Sequence, residues 1–170
     1  ALGRAHDYVR PHSEDSAPHG GPRMLSNLIR QLLAPYPALD EGRIEIRGDD
    51  FAIDDQGATP VGLAFHELAT NSVKYGAMSV PEGRIAISIS SRGGALDIIW
   101  NESGGPQVIE PAKTGFGTQL TDIAIESQLG GTIDRQWNIE GLRVDICVLA
   151  NRLSRSHQPK QERQSGTSAG

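Results

Sequence analysis

The stretch "RIAISISSRGGALDIIW", residues 84–100, limits this chain more than any other. Ile85, Ile87 and Ile89 alternate with small or polar residues, which is the two-residue period of a strand with one buried face. The pair Gly93-Gly94 then separates a second apolar run, as in a tight hairpin. A sheet with one apolar face must be covered by a second layer, and amphipathic helices are available on both sides of the hairpin. "RMLSNLIRQLLAPY" places Met24, Leu25, Leu28, Ile29, Leu32 and Leu33 at helical spacing and stops at Pro35. "TQLTDIAIESQLG" has Leu120, Ile123, Ala124 and Leu129 as its apolar side and ends at Gly130. "RIEIRG" reads as a strand that turns at Gly48-Asp49-Asp50, "FAID" as a short partner strand, and "GTIDRQWN" and "LRVDICVLA" as two closing strands. The expected fold is α+β, a two-layer sandwich. Its sheet is mixed and mostly antiparallel, with helices on one face.

The chain has 170 residues, enough for one domain with a proper core. "ALGRAHDYV" reads as the end of a helix and "RPHSEDSAPHGGP" as a linker, so residues 1–19 are set apart from a domain at 20–150. Residues 151–170 are polar and are expected to form a basic, disordered tail. No run approaches a membrane span, and with neither an initiator Met nor a signal peptide the chain reads as a piece of a longer protein. The single cysteine, Cys147, rules out a disulfide framework; it is expected to be buried and fits a reducing cytoplasm. Net charge is −5, with +3 in the last twenty residues and therefore −8 in the rest. A body so acidic does not suit nucleic acid, and a polyphosphate ligand would need a metal ion or local donors.

"LAFHELATNSVKYGAMS", Leu63 to Ser79, belongs to a helix expected from about Thr59 to Ala77, with Thr59 as N-cap and Pro60 in first position. At ~100° per residue, Glu67, Thr70, Asn71 and Lys74 share one arc and His66 lies at its edge. Ala64, Phe65, Leu68, Ala69, Ser72 and Tyr75 take the opposite side. The polar arc suits a solvated face. It equally suits chemistry: a carboxamide oxygen for Mg²⁺, a carboxylate one turn earlier to take a proton, and a lysine one turn later to neutralise phosphate. Two glycine-rich stretches follow in order. In "WNESGGP", Glu102 could accept from the exocyclic amine of adenine, and the glycines would let the backbone pass close to a base. "TGFGT" precedes a helix and exposes backbone N–H groups that suit an anion.

Together, "HELATNSVKYGA", "WNESGGP" and "TGFGTQL" resemble the N, G1 and G2 boxes of the GHKL (Bergerat-fold) ATP-binding domain. The His66-Glu67 spelling and the Trp100-x-Glu102 pair are similar to the HWE subgroup of bacterial sensor histidine kinases. The resemblance implies ATP and Mg²⁺ as cofactors, with transfer of the γ-phosphate to a histidine on an upstream dimerisation domain and a response regulator as partner. It implies that Asn71 holds Mg²⁺, that Glu67, His66 and Lys74 serve catalysis, and that Lys74 and Tyr75 also contact ATP. Glu102 would read the adenine amine, in the place where most of the superfamily has Asp, Gly105 would belong to the ATP site, and Gly104 would shape the lid and phosphate loops together with Gly115 and Gly117. Gly115, Phe116, Gly117 and Thr118 would line the phosphates, and Gln107–Thr114 with Lys113 would form an ATP lid. "AHDYVRP" also resembles a phosphoacceptor box, yet too few residues follow His6 for a second hairpin helix, so the acceptor is expected upstream and this fragment is expected to be a monomer without direct membrane contact. A GHKL serine kinase of the anti-sigma-factor type and a non-catalytic ATP-binding regulatory module are the alternatives.

Overall fold

A computed structural model of the chain describes residues 23–154. The linker, His6 and the tail from residue 155 lie outside the described residues. Chain order is α1 (Leu25–Leu33), α2 (Pro37–Asp40), β1 (Ile44–Gly48), α3 (Asp55–Tyr75), a 3₁₀ turn (Ala77–Ser79), β2 (Arg84–Arg92) and β3 (Ala95–Ser103). Then follow α4 (Phe116–Asp122), continued by a π-helical segment (Ile123–Gln128), β4 (Thr132–Asn138), β5 (Gly141–Leu149) and α5 (Ala150–Leu153).

The five strands form one sheet in the order β1-β2-β3-β5-β4. Only β1–β2 is parallel, because α3 makes the crossover between them; the other three pairs are antiparallel. The β2–β3 hairpin closes through Gly93 at φ 59° and Gly94 at φ 84°, the left-handed pair that a two-residue turn of this hand requires. Ile85, Ile87, Ile89, Leu96, Ile98, Trp100, Val144, Ile146 and Val148 are all buried, so three adjacent strands turn one apolar face to the helices. Against that face lie Leu25, Ile29 and Leu33 of α1, and Val61, Ala64, Phe65, Leu68 and Ala69 of α3. The fold is thus the expected sandwich, with its helices on one face.

The elements depart from the sequence reading in several places. "FAID" forms no strand; it makes one isolated bridge, Met24 to Ala52, at the head of α1. Helix α3 starts four residues earlier than expected. Asp54, not Thr59, is the N-cap, and its carboxylate accepts from the backbone of Gln56 and Gly57 at 3.0 and 3.1 Å. Thr59 Oγ1 instead donates back to Asp55 O at 3.2 Å, and Pro60 lies inside the helix rather than at its start. Asn101–Ser103, polar as they are, continue β3 into the glycine-rich stretch. In the second long helix the buried residues are Thr121, Ala124, Ile125 and Leu129, whereas Leu120 and Ile123 are exposed. The buried set still follows helical spacing, i, i+3, i+4 and i+8, but its stripe runs through Thr121 and Ile125 rather than Leu120 and Ile123. Cys147 is half-buried rather than buried.

The expected tail also begins later. Residues Asn151–Leu153 belong to α5, with Leu153 fully buried and its carbonyl accepting from Asp54 N at 2.9 Å. Next to it, Ile53 N donates to Arg23 O at 2.8 Å. Gly57 lets α5 come this close, since a Cβ there would stand 2.5 Å from Leu153 O. Removing the Leu153 side chain leaves a cavity under the first turn of α3. Leu153→Ala should therefore cost about 2–4 kcal/mol in chemical denaturation; an unchanged midpoint would mean that α5 does not dock in solution.

Candidate functional site

The polar ridge of α3 is tied together one turn apart. Asn71 Nδ2 donates to Glu67 Oε1 at 2.9 Å, and both side chains are half-buried. That bond uses the amide nitrogen, so the amide oxygen remains available as a hard donor. The first turn of α4 lies directly on this pair: a Cβ on Gly117 would come within 2.2 Å of the Glu67 carboxyl carbon. Glu67, Asn71 and Gly117 are thus brought together from distant parts of the chain, with Thr118 half-buried alongside Gly117 in sequence. Other candidates stand apart. His66 and Lys74 are exposed. Tyr75 is 71% exposed and so does not join the apolar face to which its periodicity assigned it. Phe116 is 76% exposed, and Gly115 has φ −70° with open space where a Cβ would go, so nothing there requires glycine.

A second cluster sits where α3 ends. Glu102 is only 3% exposed, because period two along β3 turns it, like Trp100, toward the helices. Its Oε1 accepts from Trp100 Nε1 at 2.9 Å and its Oε2 from Ala77 N at 2.7 Å. Gly76, the C-cap of α3, makes room: a Cβ there would lie 2.1 Å from Oε2. Gly105 packs on the same segment, with its missing Cβ 2.8 Å from Ala77 Cα, and Gly104 turns at φ +68° beside Glu82 O. The sequence reading named Glu102, Gly104 and Gly105 but missed Gly76 and Ala77. The "YGA" that ends the helix was the available signal, since a glycine at a helix C-terminus marks a close approach or a reversal. From Asn71 to Gly76 the helix rises only about 7–8 Å, so both clusters belong to one end of α3.

The segment Gln107–Thr114 has no regular structure. Its first half, Gln107–Glu110, lines a cleft of about 560 Å³ together with Arg135–Asn138 of β4, so the loop sets out along the edge strand rather than over α3. Lys113 is exposed. Behind the loop, Arg135 donates to Asp122 at 2.7 Å, a partly buried ion pair that fastens α4 to β4 and that no spacing in the sequence announced. A second cleft, of about 520 Å³, is lined by Glu41, Arg43, Met78–Pro81 and Arg84, with none of the candidate residues. Among the described residues no cluster of three or more His, Cys, Asp or Glu could cage a metal. A cation on this face would therefore rely on one or two protein oxygens and on its ligand's own, the habit of Mg²⁺.

The chain is 39% identical over 140 residues to "Blue-light-activated histidine kinase 1" of Erythrobacter litoralis, covering 80% of this chain and 37% of that protein. It is 36% identical over 150 residues to a blue-light-activated histidine kinase of Rhizobium johnstonii, covering 87% and 41%. The fold matches the histidine kinase domain of a blue-light-activated kinase from Erythrobacter litoralis with a TM-score of 0.59 at 18% identity, over 74% of this chain and 62% of that one. By sequence, the chain belongs to the histidine kinase family, and its fold is that of histidine kinase domains. A further match, at TM-score 0.57 and 17% identity, is the catalytic domain of histidine kinase ThkA in a nucleotide-free form, covering 77% of this chain and 98% of that one. ThkA in complex with the response regulator protein TrrA matches at TM-score 0.56 and 16% identity, over 80% and 43%. No protein-family model matches the chain. It spans about two fifths of the length of the curated relatives it matches.

Within this histidine kinase domain the two glycines of "TGFG" should behave differently. Gly117→Ala must push Glu67 aside and break its bond to Asn71, moving the Asn71 side-chain amide signals in an NMR spectrum; Gly115→Ala should leave them in place. The open sheet face gives a second check. Burial, helped by a hydrogen bond from the thiol toward Asp97, pushes the Cys147 thiol above its usual range. Less thiolate is then present at a given pH, so alkylation by iodoacetamide at pH 8 should be slower than for a free cysteine peptide. Equal rates would contradict that environment.

Proposed function

We propose that this chain is the catalytic ATP-binding part of an HWE-type sensor histidine kinase in a two-component system. In this reading it binds Mg·ATP and passes the γ-phosphate to a histidine on a dimerisation domain of the same protein, from which a response regulator receives it. The observation that carries the reading is the Glu67–Asn71 hydrogen bond covered by Gly117, because it concentrates a carboxylate, a carboxamide and a side-chain-free backbone turn at one place.

The residues present fit a magnesium ion. Gly117 leaves a cradle that a Cβ would fill, and the Asn71 amide oxygen is free of the bond its nitrogen makes. Asn71 would hold the ion, which when bound supplies charge neutralisation at the phosphate oxygens. The rest falls to the chain itself. Asn71 N–H holds the Glu67 carboxylate in one rotamer. Glu67 would take the proton from the incoming imidazole as its nitrogen bonds to the γ-phosphorus and the bond from that phosphorus to the bridging oxygen of ADP breaks. Lys74, exposed one turn past Asn71, would reach the phosphates, as would Lys113 once the lid crosses α3. Tyr75 and the Glu102 cluster would border the base, and His66 flanks Glu67 at the mouth. Cytoplasm, where ATP is abundant, is the compartment this chemistry requires.

Asn71→Ala tests the assignment. It should weaken Mg²⁺-dependent binding of ATP by about tenfold or more in calorimetry while the circular dichroism spectrum stays the same. Normal Mg·ATP affinity in the variant would remove Asn71 from the metal. Label from γ-³²P-ATP should also appear as acid-labile phosphate on a supplied dimerisation hairpin of the parent protein, and label on serine instead would favour the anti-sigma-type alternative.

A further inference from the structure

The pairing of Trp100 with Glu102 goes beyond the boxes that name the site. Glu102 is a carboxylate at 3% exposure, and among the described residues no ion pair includes it. A buried carboxylate without a cation is costly unless its oxygens are well used. Two of its acceptor positions are filled by N–H donors arriving from different layers: Trp100 Nε1 from the sheet and Ala77 N from the end of α3. A carboxylate offers about four acceptor positions in all, so acceptor capacity and negative charge remain. A glutamine in its place would turn an N–H₂ group toward one of the two donors. Only an anion satisfies both and still attracts a third.

Trp100 is a donor that cannot adjust. It is fully buried, its ring meets Phe65 edge-on with centroids 6.0 Å apart, and its backbone pairs with Ile87 on one side and Val144 on the other. Indole N–H donates and cannot accept, so its direction sets where Oε1 must be. Glutamate has one more rotatable bond than aspartate and would otherwise sample several rotamers. The period-two geometry of a strand places Trp100 and Glu102 on the same side, two residues apart, which makes W-x-E one mechanical unit.

We propose that Trp100 is a positioning residue for base recognition: its indole N–H fixes the Glu102 carboxylate, so that the remaining acceptor capacity is aimed at the exocyclic amine of a 6-aminopurine. The inference rests on the nucleotide reading given above. Ala77 N–H completes the arrangement and links the base-reading carboxylate to the helix that carries Asn71.

The test compares Mg·ATP with Mg·purine-riboside triphosphate, which lacks only the 6-amino group, by titration calorimetry on the intact chain. Wild type should prefer ATP by about tenfold or more, the usual worth of a hydrogen bond to a charged group. Trp100→Phe keeps an aromatic ring and loses the donor. It should bring the two affinities to within about twofold of each other, chiefly by weakening ATP. A parallel loss for both nucleotides, or an unchanged ratio, would show a merely structural role and overturn the proposal. Wild type that binds both equally would overturn it while leaving the nucleotide reading intact; wild type that binds neither would remove the nucleotide reading and this inference with it. Should Trp100→Phe fail to fold, the clasp is read from the free protein. The Trp100 indole N–H resonance, assigned with Trp137→Phe, should move upfield in Glu102→Gln, and a fixed resonance would overturn the proposal.

Discussion

The edge-on contact between Phe65 and Trp100, at 6.0 Å and 69°, holds the two layers of this domain in register. Each ring sits two residues before a carboxylate of the candidate site, Phe65 before Glu67 and Trp100 before Glu102. An aromatic pair of this kind adds about 0.5–1.5 kcal/mol beyond the area it buries, yet its larger effect is angular. With Phe65 inside, α3 has one permitted rotation on the sheet, and that rotation turns Glu67 and Asn71 toward α4. Val61, Ala64, Leu68 and Ala69 reinforce it, all at or below 4% exposure. Close packing of small side chains lets the helix lie low on the sheet, and this brings Ala77 N within 2.7 Å of Glu102.

What could be read in the sequence followed from strict periodicity. The Ile85-Ile87-Ile89 alternation with its Gly93-Gly94 turn gave the hairpin, and the i, i+4 spacing of Glu67 and Asn71 gave a pair that does hydrogen-bond. Misreadings arose where a local signal competed with tertiary contacts. Pro60 reads as a helix start, but Asp54 caps the helix earlier and α5 packs beside Gly57, so the proline is carried inside. Leu120 and Ile123 read as core because they are the larger apolar side chains, but the helix docks on the neighbouring stripe of Thr121, Ala124, Ile125 and Leu129, which has the same helical spacing. The burial of Glu102 was not legible, because charge normally marks the surface; its two buried donors, one of them a backbone N–H from another element, cannot be seen in a linear pattern.

The charge balance gives the same residues a second meaning. The chain carries a net −5, and both carboxylates of the candidate site sit where an anionic ligand would approach. Neither is paired with a lysine or arginine among the described residues; they are held by N–H dipoles instead. Were the ligand the polyphosphate proposed above, its attraction would fall to exposed or exchangeable positive charge, a metal ion, Lys74 and Lys113, rather than to a cation paired with either carboxylate. Under the proposed function, such a site would hold a nucleotide weakly until those pieces assemble.

The two ends of the described region meet at one corner. Ile53 N bonds Arg23 O and the adjacent Asp54 N bonds Leu153 O, at 2.8 and 2.9 Å. Arg23 and Leu153 are therefore held at neighbouring peptides, Ile53 and Asp54, just ahead of the first turn of α3. From there to Glu67 the helix extends about 18 Å. A rigid rotation of 10° about that corner, roughly the scale of subunit rotations in switching proteins, would carry Glu67 through about 3 Å. That displacement is about the difference between a hydrogen-bonded approach and none, so under the proposed function a small reorientation at this corner would change what the Glu67 carboxylate can reach.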